Sequence, residues 1–198
     1  MTEYNNLIKL DKNFYKRDAL TVAPKLLGKY LVRNINGHTL VAVITETEAY
    51  RSDDKACHAY NYRLTPRTST MFREGGCAYI YFTYGMYHCM NVVTDIKGEP
   101  SAVLIRGIKP LKDMEYMSYL RYNKALSCLT KYQLDNFSNG PGKVCMAYSL
   151  DRSLDGEDLT SDTLYIAEGE DVTAYSTGKR IGIDYAGDAK DYLWRFYI

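Results

Sequence analysis

The chain has 198 residues, 46% of them hydrophobic and 25% charged, with a formal net charge of +1. That hydrophobic share excludes a disordered chain, which could not bury enough apolar surface to offset its ordering entropy, and the length suits one domain. The near-neutral charge argues against a uniformly basic nucleic-acid binder, and no apolar run approaches the ~20 residues needed to span a bilayer.

Twenty of the residues are Tyr, against 5 Phe and 1 Trp. Tyrosine pairs a flat apolar face with a hydroxyl and suits surfaces that stack on ligands or bases. Charge is unevenly spread: residues 1–112 hold 16 Lys/Arg against 10 Asp/Glu, and residues 113–198 hold 9 against 14. One part could therefore face a polyanion, although uneven surface charge alone would look the same. The N-terminus (MTEYNNLIKLDKNFYKRD) has mixed charge and none of the apolar core of a secretory signal. We expect a soluble cytoplasmic protein with no membrane partner. The five cysteines are odd in number and form no CxxC pair, so reduced thiols are expected. Cys57-His58 and His88-Cys89 match no common zinc spacing, and no metal or cofactor is expected.

In chain order, Asp11 or Asn13 could cap a first helical turn. Ala19, Leu20, Val22, Ala23, Leu26 and Leu27 then give an apolar face before Gly28. Lys29–Arg33 and Thr39–Glu48 read as strands around an Asn36-Gly37 turn. Residues 51–70 are polar and loop-like. Tyr79–Thr83 and Tyr87–Val93 read as a β-hairpin with an aromatic tip at Tyr84-Gly85-Met86. Ala102–Lys109 is a further strand, ended by Pro110, and residues 111–135 carry a loose helical stripe. Gly140-Pro141-Gly142 breaks it, and a helix begins at Lys143. Leu164–Ala167, Arg180–Ile183 and Trp194–Tyr197 read as short strands. Strands and helices without regular βαβ alternation predict an α+β fold with a mainly antiparallel sheet.

A few residues stand out against these elements. Glu46 and Glu48 end an apolar strand two residues apart, hence on one face. Either the strand emerges into solvent there, or each Glu pairs with a surface Lys or Arg, or the carboxylates are held at a pocket rim. Arg106 lies inside the apolar run AVLIRGI, where a charge needs a partner. Glu48 is a natural candidate. Asn91, between Met90 and Val92, must satisfy its amide, on a loop or on a ligand edge. His58 could simply pack a loop. Tyr50, Tyr79, Tyr81 and Tyr87 could be ordinary sheet aromatics. Tyr84 has little core to enter at a hairpin tip, and would suit insertion between stacked bases. Gly140-Pro141-Gly142-Lys143 lacks the spacing of a phosphate loop, but a helix start with Lys143 could meet one backbone phosphate.

Taken together, LLGKYLVR, ITETEAY, DDKACHAYNYRLTPRTSTMF, AYIYFTYGMYHCMNVV, AVLIRGIKPL, NGPGKVCMAYSLDRSLDGEDL and RIGIDYAG…WRFY resemble the alkyladenine (3-methyladenine, methylpurine) DNA glycosylases. The likeness runs in the family's order across nearly the whole chain and fits a compact bacterial-type member. ETEAY and the YxYxxYGMYxCMN hairpin are its most specific parts. The resemblance implies a single glycosylase domain over 1–198, with a curved, open-barrel-like sheet, flanking helices and a protruding hairpin. It implies a monomeric, monofunctional enzyme that flips alkylated or deaminated purines out of damaged double-stranded DNA and hydrolyses the N-glycosidic bond. Carried over by motif, Glu48 activates the water and Arg106 helps hold it, with the Ile181 carbonyl as a further water contact. Tyr50, His58, Tyr81 and Asn91 enclose the base, and Tyr84 fills the vacated stack. Arg63, Thr65, Arg67, Met86, Tyr87 and Lys143 fall near the DNA backbone. Two features depart from the family pattern: the Tyr50–His58 loop is one residue shorter, and residues 113–139 match no family feature. A lesion-binding protein without catalysis would use the same pocket. A free-nucleoside hydrolase would have no use for a wedge at Tyr84.

Overall fold

In the computed structural model, which describes Tyr4 and residues 6–198, the amphipathic opening folds as two short helices, α1 (Lys12–Tyr15) and α2 (Ala19–Lys25). The very start of the N-terminal stretch discussed above lies outside the described residues. Each helix begins on an aspartate: Asp11 accepts from the amides of Asn13 and Phe14, and Asp18 from that of Leu20. Such caps satisfy amides that a helix start leaves free, worth ~1 kcal/mol each. Leu26 and Leu27 follow α2 and stay buried.

The hairpin of β1 (Tyr30–Ile35) and β2 (His38–Tyr50) turns at Asn36 and Gly37, both left-handed at φ 50° and 80°. That pair is what a tight two-residue hairpin turn requires. The remaining strands are β3 (Ala78–Thr83), β4 (Tyr87–Val93), β5 (Ala102–Lys112), β6 (Leu164–Ala167), β7 (Ser176–Gly178) and β8 (Arg195–Tyr197). All eight join one antiparallel, unclosed sheet in the order β3-β4-β5-β2-β1-β6, with β8 on β2 and β7 on β8. The fold is α+β, as the sequence predicts. β2 is long enough to seat two partners in succession: β1 along His38–Val43 and β8 along Glu46–Glu48, while β5 runs beside Val41–Tyr50. The two glutamates therefore lie in mid-sheet and not where a strand runs out into solvent. α2 packs on β2 and β5, and α5 (Pro141–Ala147) packs on β4 and β5. Val22, Leu26, Ile44, Val103, Ile105 and Val144 share the main core there.

Four element expectations need correction. Pro110 does not end β5, which continues to Lys112. Pro110 lies opposite Ala42 beside a register shift, and β4 pairs with β5 only through Leu104. At a bulge with a neighbour on one side, a missing N–H costs little. Residues 111–135 are not one helix but α3 (Met114–Tyr122), a 3₁₀ turn (Leu126–Cys128) and α4 (Lys131–Asp135). Asn123 ends α3 in the left-handed region at φ 52°, which Asn tolerates, and Thr130 with Gln133 restarts helix through a capping box. α5 begins at Pro141 rather than at Lys143, with proline at its first position, where no amide is needed. Arg180–Ile183 forms no strand. Arg180 turns inward and Gly182 takes φ 78°, so the strand of this region is β7, upstream.

Candidate active site

The site grows from an irregularity between β2 and β5. Glu46 lies opposite Gly107 and Thr47 opposite Ile105, so Arg106 is the extra residue of a bulge. Bulges re-aim side chains. Here Arg106 Nε comes 3.3 Å from Glu46 Oε1 and 3.4 Å from Glu48 Oε1. Gly107 permits the approach: a Cβ there would stand 3.1 Å from that of Glu46. The expected Arg106–Glu48 pairing is present, with Glu46 as a second partner.

Glu48 has no exposed surface. A carboxylate so placed needs donors. Tyr50 donates its hydroxyl to Oε2 at 2.7 Å, and the Ile181 amide donates to Oε1 at 2.8 Å. The Ile181 contact in this structure is thus through its N–H, on the carboxylate itself. Burial pushes the Glu48 carboxyl above its ordinary value. Arg106, Tyr50, the Ile181 amide and Arg180 pull it back without cancelling that rise.

Beside Glu48 opens a cavity of about 360 Å³ lined by Tyr50, His58, Tyr81, Asn91, Arg106 and Ile181, among others. The three groups that hold Glu48 all line this wall, and Glu48 lies directly behind them. His58 Nδ1 is 3.0 Å from the Tyr79 hydroxyl, and Arg67 reaches its Nε2 at 3.4 Å. Burial, then the charge of Arg67, lower His58 to about 4, so its ring is neutral at neutral pH. His58 meets Tyr81 edge-on at 4.5 Å, and Arg67 stands over the Tyr81 ring at 5.1 Å. Asn91 donates its side-chain amide to the Tyr79 carbonyl at 3.1 Å, which fixes its orientation in the wall.

The candidate DNA contacts divide. Tyr84 is 80% exposed at the tip of the β3–β4 hairpin, with φ 51° followed by Gly85 at φ 67°. Its hydroxyl reaches toward Gly182 across the cavity mouth. Met86 is exposed beside it, and Tyr87 packs over Gly142 at the start of α5. Arg63 is exposed, while Thr65 and Thr68 hold their turn together through reciprocal side-chain bonds to backbone amides. Arg67 is drawn to His58 and Tyr81 at the cavity. Lys143 does not extend freely: its Nζ donates to Asn136 Oδ1 at 2.8 Å and to Asn139 Oδ1 at 2.7 Å.

Sequence reasoning passed over three residues. Arg180 and Asp54 form a fully buried ion pair, and Arg180 also donates to the carbonyls of Ala49 and Ala189. Its guanidinium lies 4.7 Å from the Tyr50 ring centre and 5.0 Å from that of Trp194. The pair ties the loop before His58 to the segment whose amide holds Glu48. A cation heading the apolar run Arg180–Ile183 was the available signal, the same one that marks Arg106. Tyr185, exposed at the cavity mouth, carried no signal.

The family model for methylpurine-DNA glycosylase matches residues 13–198. The chain belongs to the methylpurine-DNA glycosylase family. It is a DNA glycosylase, a hydrolase of N-glycosyl bonds that serves DNA repair. Among its relatives, a Clostridium perfringens protein is 49% identical over 196 residues, covering 96% of each chain. A Clostridium acetobutylicum protein is 50% identical over 193 residues, covering 96% of this chain and 94% of its own. A Clostridioides difficile protein is 42% identical over 201 residues, covering 96% of this chain and all of its own. All three are provisionally named 3-methyladenine DNA glycosylases. Among the described residues, no helix of this glycosylase is long and apolar enough to cross a membrane.

Proposed function

We propose that this glycosylase releases alkylated or deaminated purines, among them 3-methyladenine, 7-methylguanine, hypoxanthine and ethenoadenine, from duplex DNA by base flipping and attack of a Glu48-activated water. One observation carries the reading: a buried carboxylate, oriented by two donors and an arginine ion pair, directly behind the wall of a tyrosine-lined cavity large enough for a small ligand. A base inside a duplex is unreachable, so it is extruded at a cost of a few kcal/mol. Tyr84 fills the space left in the stack, and Tyr50, His58 and Tyr81 enclose the base. A purine alkylated at N3 or N7 is cationic, and stacking it on tyrosine faces gains ~0.5–2 kcal/mol per contact. Asn91, its amide fixed by the Tyr79 carbonyl, crowds the exocyclic amine of normal guanine.

The same cationic base is a good leaving group, so acid catalysis has little to add. The C–N bond lengthens, the sugar becomes oxocarbenium-like, and Glu48 with its negative charge stabilises it. Water adds to the anomeric carbon and gives its proton to Glu48. A carboxyl raised by burial is a stronger base than an exposed one. Because Glu48 is sealed in the free protein, the water reaches it as Tyr50 and the Ile181 segment yield to the entering nucleotide. Among the described residues no lysine lines the cavity, so no Schiff base forms and the strand stays intact.

The test is base release from methylated duplex DNA in EDTA, wild type beside Glu48→Gln. Release by wild type and a 10²–10⁴-fold loss in the variant is expected from removal of a general base. Full release by Glu48→Gln sinks the mechanism. Tight lesion binding without release by wild type would instead make this a lesion-binding protein.

A further inference from the structure

Glu46 has no part in the reaction described above, yet it is an inner member of a line of four charges. Its Oε1 accepts from Arg195 Nη1 at 2.9 Å and from Arg106 Nε at 3.3 Å. Arg106 then faces Glu48, so cation and anion alternate from β8 through β2 to β5 and back to β2. Arg106 Nε carries one hydrogen. That hydrogen is donated to Glu46, while Glu48 Oε1, at 3.4 Å, has the same nitrogen only as an ion-pair partner. Among the described residues, the two terminal nitrogens of Arg106 make no hydrogen bond, and the side chain borders the cavity. Arg195 is itself tethered, Nε to the Lys179 carbonyl at 2.9 Å and guanidinium over the Tyr197 ring at 4.7 Å. Glu46 thus holds Arg106 by one edge and turns the other toward the cavity.

We propose that Glu46 is a positioning residue of the glycosylase reaction. It fixes the direction of Arg106 and offsets the combined charge of Arg106 and Arg195, so that Glu48 keeps the basicity that burial confers. This inference rests on Glu48 as the base. With Glu46 neutral, two cations stand within the line against one carboxylate, and Glu48 is held more firmly in its ionised, weakly basic form. The groups that face Glu48 are Tyr50 on β2, Arg106 on β5, Cys89 on β4, and Arg180 with the Ile181 amide on the C-terminal segment. Those that face Glu46 are Arg106 on β5 and Arg195 on β8. Glu46→Gln alters neither the direct donors of Glu48 nor the stacking residues.

The experiment is the pH profile of single-turnover base release from methylated duplex DNA for wild type, Glu46→Gln, Arg195→Gln and Glu48→Gln, with duplex affinity and thermal melting of each. Glu46→Gln should move the acidic limb down by roughly 0.5–1 pH unit and lower the plateau about tenfold, with duplex affinity kept. Arg195→Gln removes a cation and should move the limb the opposite way. Opposite shifts from neighbouring substitutions cannot come from loosened packing. A wild-type limb in both variants, with Glu48→Gln inactive, overturns the role of Glu46 while leaving Glu48 as the base. Activity in Glu48→Gln removes the reading on which the inference stands. A loss in Glu46→Gln confined to melting temperature, with the limb unmoved, reduces Glu46 to a structural ion pair.

Discussion

Tyr50 is at once a stacking surface and a donor to Glu48, and the two roles separate by one atom. Tyr50→Phe keeps the ring and deletes the hydroxyl that donates to Oε2 at 2.7 Å. That hydrogen bond favours the ionised carboxylate, so its loss should raise the Glu48 carboxyl further. The acidic limb of base release should then move to higher pH, and an unmoved limb would show that the hydroxyl is not coupled to the base. His58 gives the complementary expectation. Its ring is lowered to about 4 by burial and Arg67, so its proton resonances should not titrate between pH 5 and 8. The unfolded chain takes up a proton on this ring near 6.5 and the folded one only near 4. Folding stability contributed by His58 is therefore whole above about pH 6.5 and falls as pH drops toward 4. In His58→Gln that acid-side decline should shrink, as read from denaturant midpoints across the range. Arg106 and Asn91 stood out in the sequence as polar groups inside apolar runs, whereas Glu48 left more than one reading open and His58 was singled out by motif likeness alone. Asp54 did not stand out, because an aspartate in a polar loop looks solvated until its partner, 126 residues away, arrives.

At the scale of elements, two devices shape the site. The first is the β3–β4 hairpin. Its tip needs left-handed φ at Tyr84 and Gly85, and a Cβ on Gly85 would meet nothing within 4 Å. Gly85→Val therefore costs only the backbone term, about 1–2 kcal/mol, and should loosen the tip without touching the core. We expect weaker binding to duplex DNA with release from single strands unchanged, and Tyr84→Ala should behave likewise. Equal loss on both substrates would deny the tip a duplex-specific role. The second device is the Asp54–Arg180 clamp between the loop before His58 and the segment of Ile181. Both side chains are fully buried. Removing one partner leaves an unpaired buried charge, so Asp54→Ala should cost about 3–5 kcal/mol, measured by denaturant unfolding. A change below 1 kcal/mol would mean that water enters and the clamp is dispensable. The hairpin was readable from alternation and a glycine. The break-up of residues 111–135 was not, because Asn123 and Thr130 fit a helix surface as well as its ends.

On the scale of the molecule, the excess of cations in residues 1–112 sits on the part of the chain that carries the hairpin and the Arg63–Arg67 turn. Binding through phosphate contacts releases counterions. Affinity for duplex DNA should fall steeply with salt, and Arg63→Gln should reduce the slope of log affinity against log salt by about 1, with Arg67→Gln reducing it less because its guanidinium lies against His58 and Tyr81. A slope near zero would rule out a backbone-driven footprint. Lys143 should contribute less than its charge suggests, because its ammonium is already donated to Asn136 and Asn139.

Local pattern carried the elements with strong periodicity or forced turns: the β1–β2 and β3–β4 hairpins, the β5 run and the α+β class. These follow from short-range sterics and from which side chains must leave water, and both act within a few residues. Motif likeness carried the family and the residues at the cavity. The bulge that aims Arg106, the seating of β8 on β2, the sealing of Glu48 and the line from Arg195 to Glu48 belong to the folded molecule. Each joins segments up to about 150 residues apart, and the burial that raises a carboxyl or lowers an imidazole exists only when those segments exclude water together.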